Sequence, residues 1–181
     1  MKPSNNLPAI LLMTATFIFF NSSLLTAQDW PRVDIAESGC SARFPSVPEW
    51  DFQISQDSSY LWLGEVDDGQ DFYGIICVEF YEYFMDASED ELIAVAEDYL
   101  DYLQKEFGIV SHTGYLVDYS HNTNDYAVGV SDSWVDDAGD PWEVKAWIDH
   151  FNLAVMYLYG DSETFSRENS NYFFDSFWFP E

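Results

Sequence analysis

Residues 88–108 read SEDELIAVAEDYLDYLQKEFG, and this stretch decides the fold of the chain. Ser88 and Glu91 form a Ser-x-x-Glu capping box, in which two side chains satisfy two backbone amides at the start of a helix. An apolar stripe at helical spacing follows, and acidic side chains occupy most of the opposite face. The stripe consists of Leu92, Val95, Ala96, Tyr99, Leu100, Leu103 and Phe107. Because Gly108 readily adopts the left-handed conformation that ends a helix, the pattern predicts an amphipathic helix over residues 88–107.

The segments before and after this helix have the periodicity and composition of strands. Strands are predicted over residues 41–45, 50–54, 59–66, 71–83, 109–119, 125–135, 142–150 and 153–159. Residues 71–83 (DFYGIICVEFYEY) are apolar on both faces, so this segment is expected in the middle of a sheet that is covered on both sides. The Asp68-Gly69 dipeptide before it is typical of a hairpin turn.

The order of these elements predicts an α+β fold in a single domain over residues 28–181. Hairpins dominate and no βαβ alternation occurs, so the sheet is expected to be mainly antiparallel, with about six or seven strands. A second helix is predicted over residues 162–177, with Asp161 or Ser162 at its start. Both helices are expected to pack on the sheet.

Residues 1–27 have the pattern of a secretory signal peptide. Lys2 supplies the positive charge, and residues 9–20 (AILLMTATFIFF) form an apolar segment too short to span a membrane. Cleavage is expected after Ala27, with an uncleaved membrane anchor as the alternative. The mature protein is therefore expected to be exported, to the periplasm or outside the cell, with no membrane insertion after cleavage.

The chain is strongly acidic, with 33 Asp and Glu residues, 6 Lys and Arg residues and a net charge of −27. Such a field repels phosphate backbones and anionic lipids, which argues against nucleic-acid and membrane-surface binding. It suits a cationic protein or small ligand, divalent ions, or an acidic surface that keeps the protein soluble in salt. Aromatic residues make up 19% of the sequence, which excludes disorder because disordered chains contain few aromatics.

Two cysteines, Cys40 and Cys77, follow the signal peptide. An oxidising compartment permits a disulfide between them, and closing this loop would stabilise the fold by about 4 kcal/mol on a chain-entropy argument. The alternative is a pair of free thiols, with Cys77 buried in its strand. Neither cysteine has a His or a further Cys at metal-binding or redox spacing.

The element order and two short motifs resemble a known class of proteins. The first predicted strand ends in Phe-Pro-x-x-Pro (Phe44, Pro45, Pro48), and the last helix ends in Asp-Ser-Phe (residues 175–177). Over residues 40–179 the chain resembles bacterial exported proteins of the PsbP-like α-β-α sandwich class, named for an extrinsic subunit of photosystem II. The resemblance implies a fold shared by accessory and binding proteins that mostly lack catalytic activity. It carries over no functional residue, and the photosystem role does not follow from it.

Catalytic motifs are absent from the sequence. There is no Gly-x-Ser-x-Gly, no His-Glu-x-x-His, no phosphate-binding glycine loop and no Cys/His zinc spacing. An alternative function is an extracellular hydrolase that uses a Ser/His arrangement or a carboxylate pair. Its candidate residues are Ser131, Asp132 and Ser133 with His150, or the pairs Asp67/Asp68 and Asp136/Asp137. No catalytic, cofactor-binding or metal-binding residue is assigned, and no cofactor is expected.

Two further patterns each have a structural and a functional interpretation. The acidic loops Asp67/Asp68/Asp71 and Asp136/Asp137/Asp140 provide oxygens that calcium prefers, but Asp and Gly are also the ordinary residues of turns. Trp147, with Lys145 and Asp149, lies on the strand face opposite Val144, so it either joins the core or helps to form a binding platform. The sequence therefore predicts an exported, non-catalytic accessory or binding module, with a hydrolase and a calcium-dependent interaction protein as alternatives.

Overall fold

A computed structural model describes residues 30–160 and 165–180. The signal peptide, its cleavage site after Ala27 and the predicted start of the second helix at Asp161 or Ser162 lie outside these residues. The described residues form two sheets and two helices. In chain order the elements are β1 (Arg32–Asp34), β2 (Ser41–Arg43), β3 (Asp51–Ile54), β4 (Tyr60–Asp67), β5 (Asp71–Glu79), α1 (Glu89–Glu106), β6 (Ile109–His112), β7 (Leu116–Asp118), β8 (Val128–Asp136), β9 (Pro141–Ile148), β10 (Asn152–Gly160) and α2 (Arg167–Phe174).

The long helix predicted from the capping box is present as α1. The Ser88 backbone amide donates to the Glu91 carboxylate at 2.8 Å, and the Ser88 hydroxyl accepts from the Glu91 amide, so both halves of the box form. The buried side of α1 packs on β6, β8 and β9. The predicted bounds, 88–107, are the N-cap and C-cap residues of the observed helix.

The main sheet is antiparallel, with strand order β3-β4-β5-β10-β9-β8-β6 and with β7 also paired to β8. Strand β5 lies inside it between β4 and β10, as its two-sided apolar pattern predicted. The sheet has eight strands because the segment 109–119 forms two short strands instead of one. The break falls at Thr113–Tyr115, where Gly114 has a φ of 103°.

The first predicted strand lies outside the main sheet. Strand β2 pairs with β1 as a separate antiparallel ribbon, in which Arg32 lies directly opposite Arg43. The chain returns to this ribbon after α2, where Ser41 and Trp178 exchange two backbone hydrogen bonds. This return explains why α2 ends with its C-cap at Asp175 and is shorter than the predicted helix: Phe177 lies on the segment that has already turned toward β2.

Helices cover the two faces of the main sheet. The α1 face carries one apolar cluster, which includes Trp134, Val144 and Leu100. The opposite face, here called the α2 face, carries a second cluster in which α2 and the β1–β2 ribbon cover β4, β5 and β10. The predicted α+β architecture, with both helices on a mainly antiparallel sheet, is confirmed. Neither helix of the described chain combines the length and the apolar character needed to cross a membrane.

Candidate functional site

A cavity of about 510 Å³ lies between α2 and strands β6, β8 and β9. We call it the α2 cleft. Its wall contains four hydroxyl side chains, an amide, one basic and one acidic residue, and the apolar residues Val135, Pro141 and Phe165. The lining residues are Ser111, His112, Thr113, Ser133, Trp134, Val135, Pro141, Trp142, Glu143, Phe165, Arg167, Ser170 and Asn171. Such a mixture of hydrogen-bonding groups and apolar walls is typical of small-molecule sites.

One hydroxyl in this wall lacks a hydrogen-bond partner. Ser170 is 3% exposed, and its Oγ contacts no donor or acceptor among the described residues. Ser176, a second buried serine close to the end of α2, has the opposite environment: its Oγ donates to the Phe173 carbonyl at 2.6 Å and accepts from the Arg43 amide at 2.9 Å. Since an unmet buried polar group costs about 1–3 kcal/mol, the Ser170 hydroxyl is the group in the cleft that most requires a ligand or solvent partner.

Arg167 and Glu143, the arginine and the glutamate of the cleft, form no ion pair with each other or with other described residues. Arg167 lies on the first turn of α2 and Glu143 lies on β9, so they belong to different walls. The Arg167 guanidinium can therefore donate hydrogen bonds to a polar ligand in the cleft, and the Glu143 carboxylate can accept them.

A second cavity, of about 230 Å³, adjoins the cleft and contains Lys145. The Lys145 ammonium donates to Asp118 at 2.9 Å and to Asp175 at 3.3 Å, and it lies 4.0 Å from the centre of the Trp147 ring. Burial works against ionisation of Asp118, but hydrogen bonds from Ser120 and Lys145 outweigh it and lower its pKa to about 2. Lys145 thus acts as a structural ion that joins β7, β9 and the end of α2.

Asp132 is the most heavily hydrogen-bonded carboxylate near the cleft. Its Oδ1 accepts from the amides of Thr113, Gly114 and Ser133 at 3.1, 2.9 and 2.8 Å and from the Thr113 hydroxyl at 2.8 Å. Its Oδ2 accepts from Trp134 Nε1 at 3.0 Å and lies 3.3 Å from His112 Nδ1. Burial opposes the charge on Asp132, but these hydrogen bonds outweigh it and hold the pKa of the carboxyl below its usual value.

The structure does not assemble the Ser/His arrangement considered for a hydrolase. Asp132 contacts His112, while His150 lies in the turn after β9, five residues beyond Lys145, which is the partner of Ser131 in the sheet. Five residues of strand correspond to about 16 Å. His112 pairs with Trp134 on the α1 face, so the alternation of side chains along β8 directs the Ser133 side chain to the other face. The Asp132–His112 pair therefore has no serine beside it on its own face of β8.

The acidic loops use their carboxylates to cap turns. Asp68 Oδ1 accepts from the amides of Gln70 and Asp71, both at 2.9 Å, and Asp67 Oδ1 accepts from the Gly69 amide at 2.6 Å. Asp136 accepts from the Ala138 and Asp140 amides and from Trp142 Nε1 in the same way. Within residues 30–160 and 165–180, no three His, Cys, Asp or Glu residues cluster so that they could hold a metal ion. The geometry thus supports the turn interpretation of both loops.

The two cysteines meet in the core on the α2 face. Both are free thiols, both are buried, and their side chains are hydrogen-bonded to each other. This hydrogen bond and burial raise the pKa of the Cys40 thiol. Although the chain positions are 37 residues apart, the fold brings together the pair for which a disulfide is predicted. The bridge itself stays a prediction.

The aromatic residue proposed for a platform belongs to the core. Trp147 is 2% exposed, and its Nε1 donates to the Phe174 carbonyl at 2.9 Å. Exposed rings occur elsewhere, at the turns around Tyr81, Tyr83 and Tyr126. Trp147 therefore anchors α2 to β9.

No protein-family model matches the sequence, and no curated protein matches it. The cleft is interpreted from its own residues. Sequence reasoning missed both of its main features. The unmet hydroxyl of Ser170 and the contact between His112 and Asp132 depend on tertiary packing, and neither has a local sequence signature.

Proposed function

We propose that this protein is an exported, non-catalytic binding module that holds a small polar molecule in the α2 cleft. The observation that carries the proposal is made at Ser170: this residue lines the cavity, and its Oγ, which is buried behind the cavity surface, has no partner in the described chain. Native proteins rarely leave such a group unmet, so a ligand or an ordered solvent molecule is its natural partner.

The other wall residues support the same function. Ser111 and Ser133 line the cleft from the strands and Asn171 lines it from α2, so strand and helix both contribute hydrogen-bonding residues. Arg167 and Glu143 add one charge of each sign. A ligand with hydroxyl, amide, amino or carboxylate groups fits this lining better than a purely apolar one. Binding without catalysis agrees with the resemblance to PsbP-like accessory proteins and with the separation of the serines from the Asp132–His112 pair.

Saturation-transfer NMR tests the proposal with two defined probes, glycine as a zwitterion and D-glucose as a polyol. We expect at least one probe to bind the wild-type protein and to lose affinity in the Ser170→Ala and Ser170→Leu variants. Ser170→Ala removes the unmet hydroxyl and is expected to keep or raise the melting temperature, so loss of binding in this variant cannot be assigned to unfolding.

Ser46→Leu provides the matched control, because Ser46 is an exposed serine after β2 and does not line the cleft. This variant is expected to bind as the wild type does. The proposal is wrong if neither probe binds, or if probe binding is the same in the wild type and in both Ser170 variants.

A further inference from the structure

The two arginines of the β1–β2 ribbon form a pair of like charges. Arg32 and Arg43 are direct cross-strand partners. Like charges in this arrangement destabilise a ribbon. Burial and the charge of Arg43 both lower the pKa of the Arg32 guanidinium, with Asp34 acting in the opposite direction. A chain with only 6 basic residues thus places two of them where they repel each other.

Both guanidinium groups are held in place by the surrounding structure. Arg32 donates to the Ser41 hydroxyl at 3.0 Å and lies 4.0 Å from the centre of the Trp178 ring. Arg43 donates to the Trp30 carbonyl at 2.7 Å and lies 5.6 Å from the centre of the Tyr172 ring. A guanidinium has five N–H donors, so most donors of each group remain available. Contact with an aromatic ring orients a guanidinium without using those donors.

Among the described residues, the carboxylates near the two arginines do not form ion pairs with them. Both arginines line a cavity of about 390 Å³ between the ribbon and α2, together with Tyr172, Asn171, Ser176 and two acids. One of these acids, Asp175, is already bonded to Lys145, and the other, Glu168, is exposed on α2.

We propose that Arg32 and Arg43 together bind an oxyanion, either a carboxylate or a phosphate or sulfate group, in the cavity between the β1–β2 ribbon and α2. Two preorganised guanidinium forks match the oxygens of such a group, and its negative charge relieves the repulsion between them. The site adjoins the α2 cleft, with Asn171 in the lining of both cavities, but it does not depend on the function proposed for the cleft.

Calorimetric titration tests the site with three named probes, sodium phosphate, sodium sulfate and sodium acetate. Sodium chloride keeps the ionic strength constant, so that general screening does not contribute. We expect saturable binding of at least one probe, and an affinity at least about tenfold lower in the Arg32→Gln variant. Binding of acetate would indicate that the natural ligand carries a carboxylate. Binding of phosphate or sulfate would indicate that it carries a phosphate or sulfate group.

Two variants separate the proposal from its alternatives. Arg43→Lys keeps the charge and loses the planar guanidinium, so it should also weaken binding. Lys105→Gln removes an exposed positive charge from the last turn of α1, lines neither cavity and should leave the affinity unchanged. Arg32 is exposed and its protein acceptor is a serine hydroxyl, so Arg32→Gln is expected to fold even if Arg43→Lys does not. The proposal is overturned if none of the three probes binds, or if Arg32→Gln binds as tightly as the wild type. Because Ser170 lies outside this cavity, Ser170→Leu should retain the anion affinity whether or not the cleft takes a ligand.

Discussion

Replacing Asp132 with alanine removes the carboxylate that ties the break between β6 and β7 to β8. In the wild type this side chain accepts from the amides of Thr113 and Gly114, which lie in the break, and from the indole of Trp134, which is buried on the α1 face. The variant leaves these donors without their acceptor. We expect the wall of the α2 cleft that contains Thr113 to loosen and the protein to lose stability.

The size of the loss follows from the contacts. A hydrogen bond to a charged group contributes about 1.5–3 kcal/mol net, and a buried donor left unmet costs about 1–3 kcal/mol. The bonds to Asp132 share one carboxylate whose burial has its own cost, so they do not add independently. We expect Asp132→Ala to lower the free energy of unfolding by about 3–5 kcal/mol and the melting temperature by about 10 °C. Asp132→Asn keeps one acceptor oxygen and should lose about half as much.

Urea denaturation followed by tryptophan fluorescence measures the free energy, and hydrogen exchange at the Thr113 and Gly114 amides reports the local opening. The lowered pKa of Asp132 means that its contribution is present above the usual carboxyl range and is lost as the pH falls through the folded-state pKa. The difference in free energy of unfolding between the wild type and Asp132→Ala should therefore decrease below about pH 4. Asp98→Ala is the control, since Asp98 is exposed in the middle of α1 and is expected to change stability by about 0.5 kcal/mol or less. The reasoning is refuted if Asp132→Ala is as stable as Asp98→Ala at neutral pH.

Three further predictions concern the cysteine pair, Lys145 and His121. If the protein is prepared from an oxidising compartment and denatured without reductant, it should show no thiol that reacts with iodoacetamide, and reduction should lower its free energy of unfolding by about 4 kcal/mol. Two reactive thiols before reduction would disprove a Cys40–Cys77 bridge. Lys145→Met should lower the free energy of unfolding by about 2 kcal/mol, because Asp118 and Asp175 lose the cation that they share. The loss is moderate because both carboxylates keep some contact with water. A variant as stable as the wild type in urea would contradict the structural role of Lys145. Burial lowers the pKa of His121, so its contribution to stability is present above its usual pKa of about 6.5 and declines as the pH falls through that value. The free energy of unfolding of His121→Gln should therefore fall less than that of the wild type between about pH 7 and pH 5. Equal decreases would show that His121 does not cause the loss of stability at low pH.

Local patterns predicted the parts of the fold that depend on neighbouring residues. The bounds of α1 follow from a capping box and an apolar stripe contained in one stretch of sequence, and the interior position of β5 follows from its own two apolar faces. The break between β6 and β7 could not be read in this way. Its donors at Thr113 and Gly114 are satisfied by Asp132, which lies 18 or more residues further along the chain.

The candidate sites depend even more on packing. Ser170 is one serine among several near the C-terminus, and only the packing of α2 against the sheet leaves its hydroxyl without a partner among the described residues. Arg32 and Arg43 become partners because their segments form a ribbon apart from the main sheet, whereas the sequence pattern predicts a strand over residues 41–45 without indicating which strand it pairs with. The side chains that form such polar sites come from segments far apart in the sequence. The spacing of apolar residues within one segment therefore cannot predict them.

Native mass spectrometry of the protein purified from its own cells, without added ligand, tests the binding function most directly. We predict that the wild type carries an additional small mass that is released on denaturation, that Ser170→Leu lacks this mass, and that Ser46→Leu retains it. A wild-type protein that has only the mass of its chain, or a bound mass that survives in Ser170→Leu, would contradict a ligand in the α2 cleft.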